Sequence, residues 1–169
     1  MDIKKFLVMA AATVIATTSL ASAEEVPITG NVASKCTIHT DTAGVYGNPS
    51  ANVLTTNPSD GGVTPVIRYD VVSANTYKAV ITTPTSFSTS PSLSDTLAWT
   101  GSTEVSAVTD PSMSAYDTNK RIYNATTEFD LAVAGTVWFK SNSSVEYGYN
   151  KSLPGGAYKA VIVAECIAL

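Results

Sequence analysis

The chain has two cysteines, Cys36 and Cys166, and one histidine, His39, as candidates for redox chemistry, zinc binding or a catalytic triad. A structural zinc site uses four cysteine or histidine ligands, so these three do not complete one. A serine–histidine–aspartate triad would have to use His39, and the sequence contains no G-x-S-x-G motif to present the serine. We therefore predict no catalytic residue, no cofactor and no metal, and we expect a protein that is not an enzyme.

The N-terminus indicates the compartment in which the cysteines function. Lys4 and Lys5 precede an apolar run over residues 6–16, and Ala21-Ser22-Ala23 is an A-x-A cleavage site. This order is typical of a secretory signal peptide over residues 1–23, and its apolar run is too short to span a bilayer. Residues 24–169 are then exported, no membrane span is expected, and a disulfide becomes permissible.

The two cysteines lie near the two ends of the mature chain. An intramolecular disulfide between Cys36 and Cys166 is the favoured interpretation, while two free thiols and a bond between molecules remain open. A disulfide requires Cα atoms within about 7 Å of each other. If the bridge forms, the first and last strands are neighbours at that point.

The composition excludes several classes of protein. Charged residues make up 14 % of the chain, and 10 Lys and Arg stand against 14 Asp and Glu for a net charge of −4. This balance argues against a nucleic-acid partner, which requires a basic surface. Hydrophobic residues make up 44 %, enough for a core, and the length suits one domain.

Short runs with a period of two predict an all-β chain. The first strand alternates through Val26, Ile28, Gly30 and Val32, and the same parity continues to Cys36 and Ile38. Further strands are predicted over residues 64–73, 77–83, 96–99, 104–108, 128–134, 136–140 and 157–169. Residues 68–83 are predicted to form a hairpin, and residues 109–127 a long loop or weak edge strands. Frequent turns between short strands favour a single β-sandwich domain.

The two ends of the mature chain carry the most specific pattern. The last strand, AYKAVIVAECIAL at residues 157–169, has apolar residues on both faces, which predicts a strand in the interior of a sheet. The opening segment, EEVPITGNVASKCTI at residues 24–38, combines an alternating stretch with the first cysteine. Together with the signal peptide and the closing motif at residues 156–163, this layout resembles subunits of bacterial chaperone–usher fimbriae.

The resemblance implies an incomplete immunoglobulin-like β-sandwich that lacks its last strand and is completed by a donor strand from another copy. Residues 24–33 would be that donor strand, with Val26, Ile28, Gly30 and Val32 as the inserted side chains. The last strand would line the hydrophobic groove through a row of alternate residues, namely Tyr158, Ala160, Ile162 and Ala164. Because an inserted strand would hold the flanking strands about 9–10 Å apart, a bridge between Cys36 and Cys166 would lie at one end of that groove.

The function implied by the resemblance is that of a structural subunit, which polymerises head to tail by donor-strand exchange and supports adhesion. Its partners would be other copies of itself, a periplasmic chaperone and an outer-membrane usher. The chain would be exported through the periplasm to a fimbrium at the cell surface.

A second interpretation stays open: a secreted, self-complete β-sandwich that binds carbohydrate or another surface ligand. Residues 26–38 would then simply be its own first strand. Aromatic side chains could form a platform for sugar rings, although filling the core and its rim is the more ordinary role for such residues. The candidates are Trp99, Trp138, Tyr147 and Tyr149.

Overall fold

The predicted all-β architecture is confirmed in the part of the chain that the structure describes. The structure, a computed structural model, describes residues 28–29 and 35–169, and the chain divides into two units, residues 1–31 and residues 32–169. The fold below is that of the second unit. Its strands are β1 (Cys36–Thr42), β2 (Gly47–Ser50), β3 (Val53–Thr55), β4 (Val66–Val71), β5 (Tyr77–Thr82), β6 (Leu97–Val108), β7 (Arg121–Tyr123), β8 (Thr126–Leu131), β9 (Gly135–Tyr147) and β10 (Val163–Ala168).

The strands form two antiparallel sheets that pack as a sandwich. In the first sheet the order is β1-β4-β9-β3-β2, and β6 pairs with the other edge of β9. In the second sheet the order is β10-β5-β8-β7. Strands β1 and β10 therefore lie at the edges of different sheets.

Aromatic residues from both sheets fill the space between them. Phe139 of β9 and Phe129 of β8 have ring centroids 4.3 Å apart, and Tyr69 of β4 meets Phe139 edge-on at 5.5 Å. All three side chains are essentially inaccessible to solvent. Because β4 and β9 belong to one sheet and β8 to the other, these contacts hold the two layers together.

Strand β6 runs continuously from Leu97 to Val108, where the sequence predicted two separate short strands. In the fold the buried Thr103 and Ser141 hydroxyls bond each other at 2.9 Å, so the strand keeps its inward face through residues 100–103, between the two predicted strands. Strand β9 likewise extends to Tyr147, beyond its predicted end at Lys140.

The predicted hairpin over residues 68–83 is wrong. Strand β4 pairs with β1 and β9 in the first sheet, whereas β5 pairs with β10 and β8 in the second. The turn residue Asn75 does adopt a positive φ of 57°. The turn therefore carries the chain from one sheet to the other, because both strands have an inward face that must cover the same core.

Residues 109–127 contain two short helical turns, at Pro111–Ala115 and Tyr116–Asn119, and the edge strand β7. The turns place Met113 and Tyr116 against the core, and the Tyr116 hydroxyl accepts a hydrogen bond from the Val133 N–H at 3.1 Å. Gly135 lies beside Met113 with φ at 141°, and a Cβ there would stand 2.7 Å from the Met113 Cε. This segment thus closes one end of the core rather than forming a free loop.

Candidate functional site

The intramolecular disulfide between Cys36 and Cys166 is confirmed. Cys36 is the first residue of β1 and Cys166 lies in β10, and their Cα atoms are 6.4 Å apart. Since β1 is an edge of the first sheet and β10 an edge of the second, the bond ties the two layers of the sandwich together along one side.

A groove opens between these two strands on the same side of the sandwich. It has a volume of about 580 Å³, and we call it the edge groove. Its walls include two rows of alternate residues. Ile38, Thr40 and Thr42 form the row on the β1 wall. The other row, on what we call the β10 wall, is Ala164 of β10 with Ala160 and Ile162 of the segment that leads into it. Because the lining residues follow Cys36 but precede Cys166, the two walls run in opposite directions, and the disulfide closes one end of the groove.

The strand in each wall of the edge groove has only one partner among residues 35–169. Strand β1 pairs with β4 alone and β10 with β5 alone. The Leu169 N–H donates a hydrogen bond to the Thr76 carbonyl on the β5 side. Strands β10 and β5 pair in the same register from there back to Val163 opposite Thr82. In an antiparallel ladder the backbone N–H and C=O of successive residues point to opposite sides. Those of Ala164 therefore point away from β5 and towards the groove, and the same alternation gives this direction for Ile162 and Ala160. Such an edge is a template for another strand.

The side chains of the last strand are only partly buried. The inward row is half-buried against the core, while Val161 and Val163 on the outward face are 51 % and 50 % exposed. The sequence predicted a strand with neighbours on both sides. In the described part of the chain, the ladder with β5 starts only at Val163, since β5 ends before Pro84, which has no N–H to donate.

Tyr69 forms a second tie between the sheets at the closed end. Its hydroxyl donates a hydrogen bond across the sandwich to the Glu165 carbonyl at 3.1 Å, next to the disulfide. Burial, with a smaller contribution from the Glu165 carboxylate, raises the pKa of Tyr69 above its ordinary value. The phenol therefore stays a neutral donor, and β10 is fixed to β4 as well as to β1 at this end.

Aromatic residues hold the opposite end. Tyr46 lines the edge groove, and its hydroxyl lies 3.0 Å from the Ser143 hydroxyl. The Phe87 ring lies 4.8 Å from Trp99 and 5.0 Å from Tyr158. Beside them the Lys159 N–H bonds the Thr89 carbonyl at 2.8 Å. The segment that leads into β10 is thus anchored at Tyr158 and Lys159 and again at Glu165 and Cys166.

The residues predicted to line the groove fall into two groups. Ala160, Ile162 and Ala164 lie on its wall, whereas Tyr158 packs on Phe87 and donates its hydroxyl to the Pro154 carbonyl at 2.7 Å. The predicted donor residues Val26, Gly30 and Val32, and the signal peptide over residues 1–23, lie outside the described residues. Ile28 is described, and its side chain is 98 % exposed.

The β1 wall was not singled out from the sequence. Its residues share the parity of Cys36 and Ile38, which was recognised as the inward face of the first strand, so continuing that alternation to Thr40 and Thr42 would have found them. Tyr46 and Phe87 carried no comparable signal, because both lie outside the regular strands.

The electrostatic character of the edge groove is nearly neutral. Of its described lining residues only Lys159 carries a charge, and the rest are aliphatic, threonine, serine, proline, glycine or tyrosine. A surface of this kind, flanked by two open backbone edges, is suited to an extended apolar segment rather than to a charged small molecule.

The aromatic residues considered as a sugar platform do not share a face. Trp99 packs on Phe87, Trp138 lies on the outer face of β9 with its Nε1–H donating to the Asp41 carboxylate at 3.2 Å, and Tyr147 is buried on the inner face. Tyr149 is 87 % exposed in the turn after β9. They therefore do not form one stacking surface.

His39 lies exposed on the outer face of β1, 3.5 Å from the Asp70 carboxylate. Among the residues that the structure describes, no three His, Cys, Asp or Glu side chains are grouped as metal ligands would be. Nor is any helix within residues 28–29 and 35–169 long and apolar enough to cross a membrane. Comparisons of the chain with protein families, with curated proteins and with solved structures found no match.

Proposed function

We propose that this protein is a structural subunit of a surface fimbria and that copies join head to tail by donor-strand exchange. Residues 24–33 of one copy fill the edge groove of the next. The observation that carries the proposal is the pair of open strand edges, β1 and β10, on the two sides of one nearly uncharged groove.

The energetic basis is strand addition combined with burial. An inserted strand forms backbone hydrogen bonds with both walls, and its alternate side chains are buried between the sheets. Burial of one Val or Ile side chain is worth about 1.5–3 kcal/mol. Ile28, at 98 % exposure, has almost all of this free energy still to gain.

The shapes of the two segments are complementary. The β10 wall presents a small, a large and a small side chain at Ala160, Ile162 and Ala164. The candidate donor strand presents the inverse order, with Gly30 between Ile28 and Val32. When Gly30 lies opposite Ile162, Ile28 and Val32 lie over the two alanines of the wall, whichever way the donor strand runs. A slip by two residues would lose this match, so one register is favoured.

The cellular setting follows from the resemblance of the sequence to chaperone–usher subunits. A periplasmic chaperone covers the edge groove until exchange, and an outer-membrane usher is the site of assembly. A head-to-tail contact of this type does not close on itself, so repeated addition produces a filament at the cell surface that supports adhesion.

The test compares substitutions at two adjacent residues, Ile162 just before β10 and Val163 at its start. Ile162→Asp places a carboxylate in the edge groove, whereas Val163→Asp places it on the outward face, which is already half exposed. We expect filaments in electron micrographs of the wild type and of Val163→Asp, and none from Ile162→Asp or from a chain without residues 24–33. Normal filaments from the chain without residues 24–33 would refute the proposal.

A second measurement distinguishes exchange from a self-complete sandwich. A photo-crosslinking amino acid at position 28 should join different copies and give a ladder of covalent multimers, and the same group at the exposed Tyr149 is the control. Crosslinks that form only within single chains would show that the leading segment completes its own sandwich, as in the second interpretation of the sequence.

A further inference from the structure

We infer that the edge groove pairs with a strand of only about five residues, residues 28–32 of a second copy, and that Val26 stays outside it. This inference rests on the proposed function. It narrows the four donor residues predicted from the sequence to three, namely Ile28, Gly30 and Val32.

The disulfide sets the limit at the closed end. A strand inserted between two others needs them about 9–10 Å apart, which is twice the usual strand spacing. The Cα atoms of Cys36 and Cys166 are covalently held at 6.4 Å. No strand can pass between the walls there, so pairing begins one inward position further along, at Ile38 and Ala164.

The strand ends set the limit at the other end. Strand β1 ends at Thr42. On the opposite wall the next residue of the inward row is Tyr158, whose ring packs on Phe87 and whose hydroxyl donates to the Pro154 carbonyl. The open edges therefore extend over residues 38–42 and residues 160–164. At about 3.3 Å per residue, this is room for roughly 16 Å of strand with three inward side chains.

The sequence of the leading segment contains a matching limit. Pro27 has no N–H, so it does not fit in a strand that is hydrogen-bonded on both sides. Residues 28–32 are the alternating part that follows it, and their inward residues have the same spacing as the three positions on each wall. Val26 lies on the other side of Pro27, beyond the pairing region.

The experiment measures assembly of three full-length variants, Val26→Asp, Ile28→Asp and Val32→Asp, with cleavage of the signal peptide verified by mass spectrometry. We expect Val26→Asp to assemble at the wild-type concentration. Ile28→Asp and Val32→Asp should each require a concentration at least about tenfold higher, since each loses the burial of one branched side chain. Amide hydrogen exchange on assembled wild-type protein should show protection at residues 28–32 and none at Val26.

The outcomes separate this inference from the proposed function. If Val26→Asp lowers assembly as much as Ile28→Asp, or if the Val26 amide is protected, the groove is longer than inferred, while donor-strand exchange itself stands. If none of the three variants changes assembly, the proposed function fails and this inference fails with it. Val26→Ser repeats the first measurement without an added charge.

Discussion

Removal of the disulfide is the perturbation whose effect is largest and most directly calculable. The bond joins residues separated by 130 positions and so encloses nearly the whole described domain. In the chain-entropy model, a loop of this length restricts the unfolded chain by about 5 kcal/mol at 25 °C. We therefore expect the double variant Cys36→Ser/Cys166→Ser to lose close to that amount of unfolding free energy.

The assay is chemical denaturation of the full chain, with the transition followed by far-ultraviolet circular dichroism and tryptophan fluorescence. Whole domains are stable by about 5–15 kcal/mol, so the variant should unfold at much lower denaturant concentration or be largely unfolded in buffer. Reduced wild-type protein is the control, since it lacks the bond but keeps both cysteines. A loss below about 2 kcal/mol would refute the reasoning, because it would mean that the unfolded chain is already constrained in another way.

Three further changes test the ties between the sheets and the end of the core. Tyr69→Phe removes the hydrogen bond to the Glu165 carbonyl and should cost about 1 kcal/mol in denaturant unfolding; an unchanged midpoint would show that water replaces the hydroxyl. Folding raises the pKa of Tyr69, so its contribution to the unfolding free energy is complete below the unfolded value near 10 and is lost as the pH rises further. The unfolding free energy of the wild type should therefore fall above about pH 10, and that of Tyr69→Phe should fall less. In Gly135→Ala the new Cβ would stand at a positive φ and close to Met113, so the variant should be less stable by about 1–3 kcal/mol. The measurement is the shift in melting temperature, with Ala134→Gly at the neighbouring exposed position as the control.

The fold class could be predicted from the sequence because period-two alternation depends only on which side of a strand is buried. The disulfide was predicted from the cysteine count together with the predicted export signal. The sheet assignment of β4 and β5 could not be predicted in the same way. A turn at Asn75 is compatible with a hairpin and with a crossing between layers, and only the packing of both inward faces on one core decides between them.

The edge groove was predictable in part. That Ala160, Ile162 and Ala164 share a face follows from alternation along the last strand, and that this face lines a groove was implied by the resemblance. The β1 wall and the aromatic end around Phe87 were missed, since their position depends on how distant segments pack. Tyr158 shares the parity of the groove row, but its ring is drawn to Phe87, and parity alone cannot predict such a contact.

The position of the disulfide also has a mechanical consequence. Cys36 directly follows the leading segment, and Cys166 lies on the strand that would receive the neighbouring copy's segment. In a fibre joined as proposed, the received strand would pass a pulling force to both walls. The force on β10 would cross the sulfur–sulfur bond to β1, join the force that β1 takes directly, and continue to the next copy. Tension would then bypass the packed interior, and the fibre could be stretched without peeling the layers of each subunit apart.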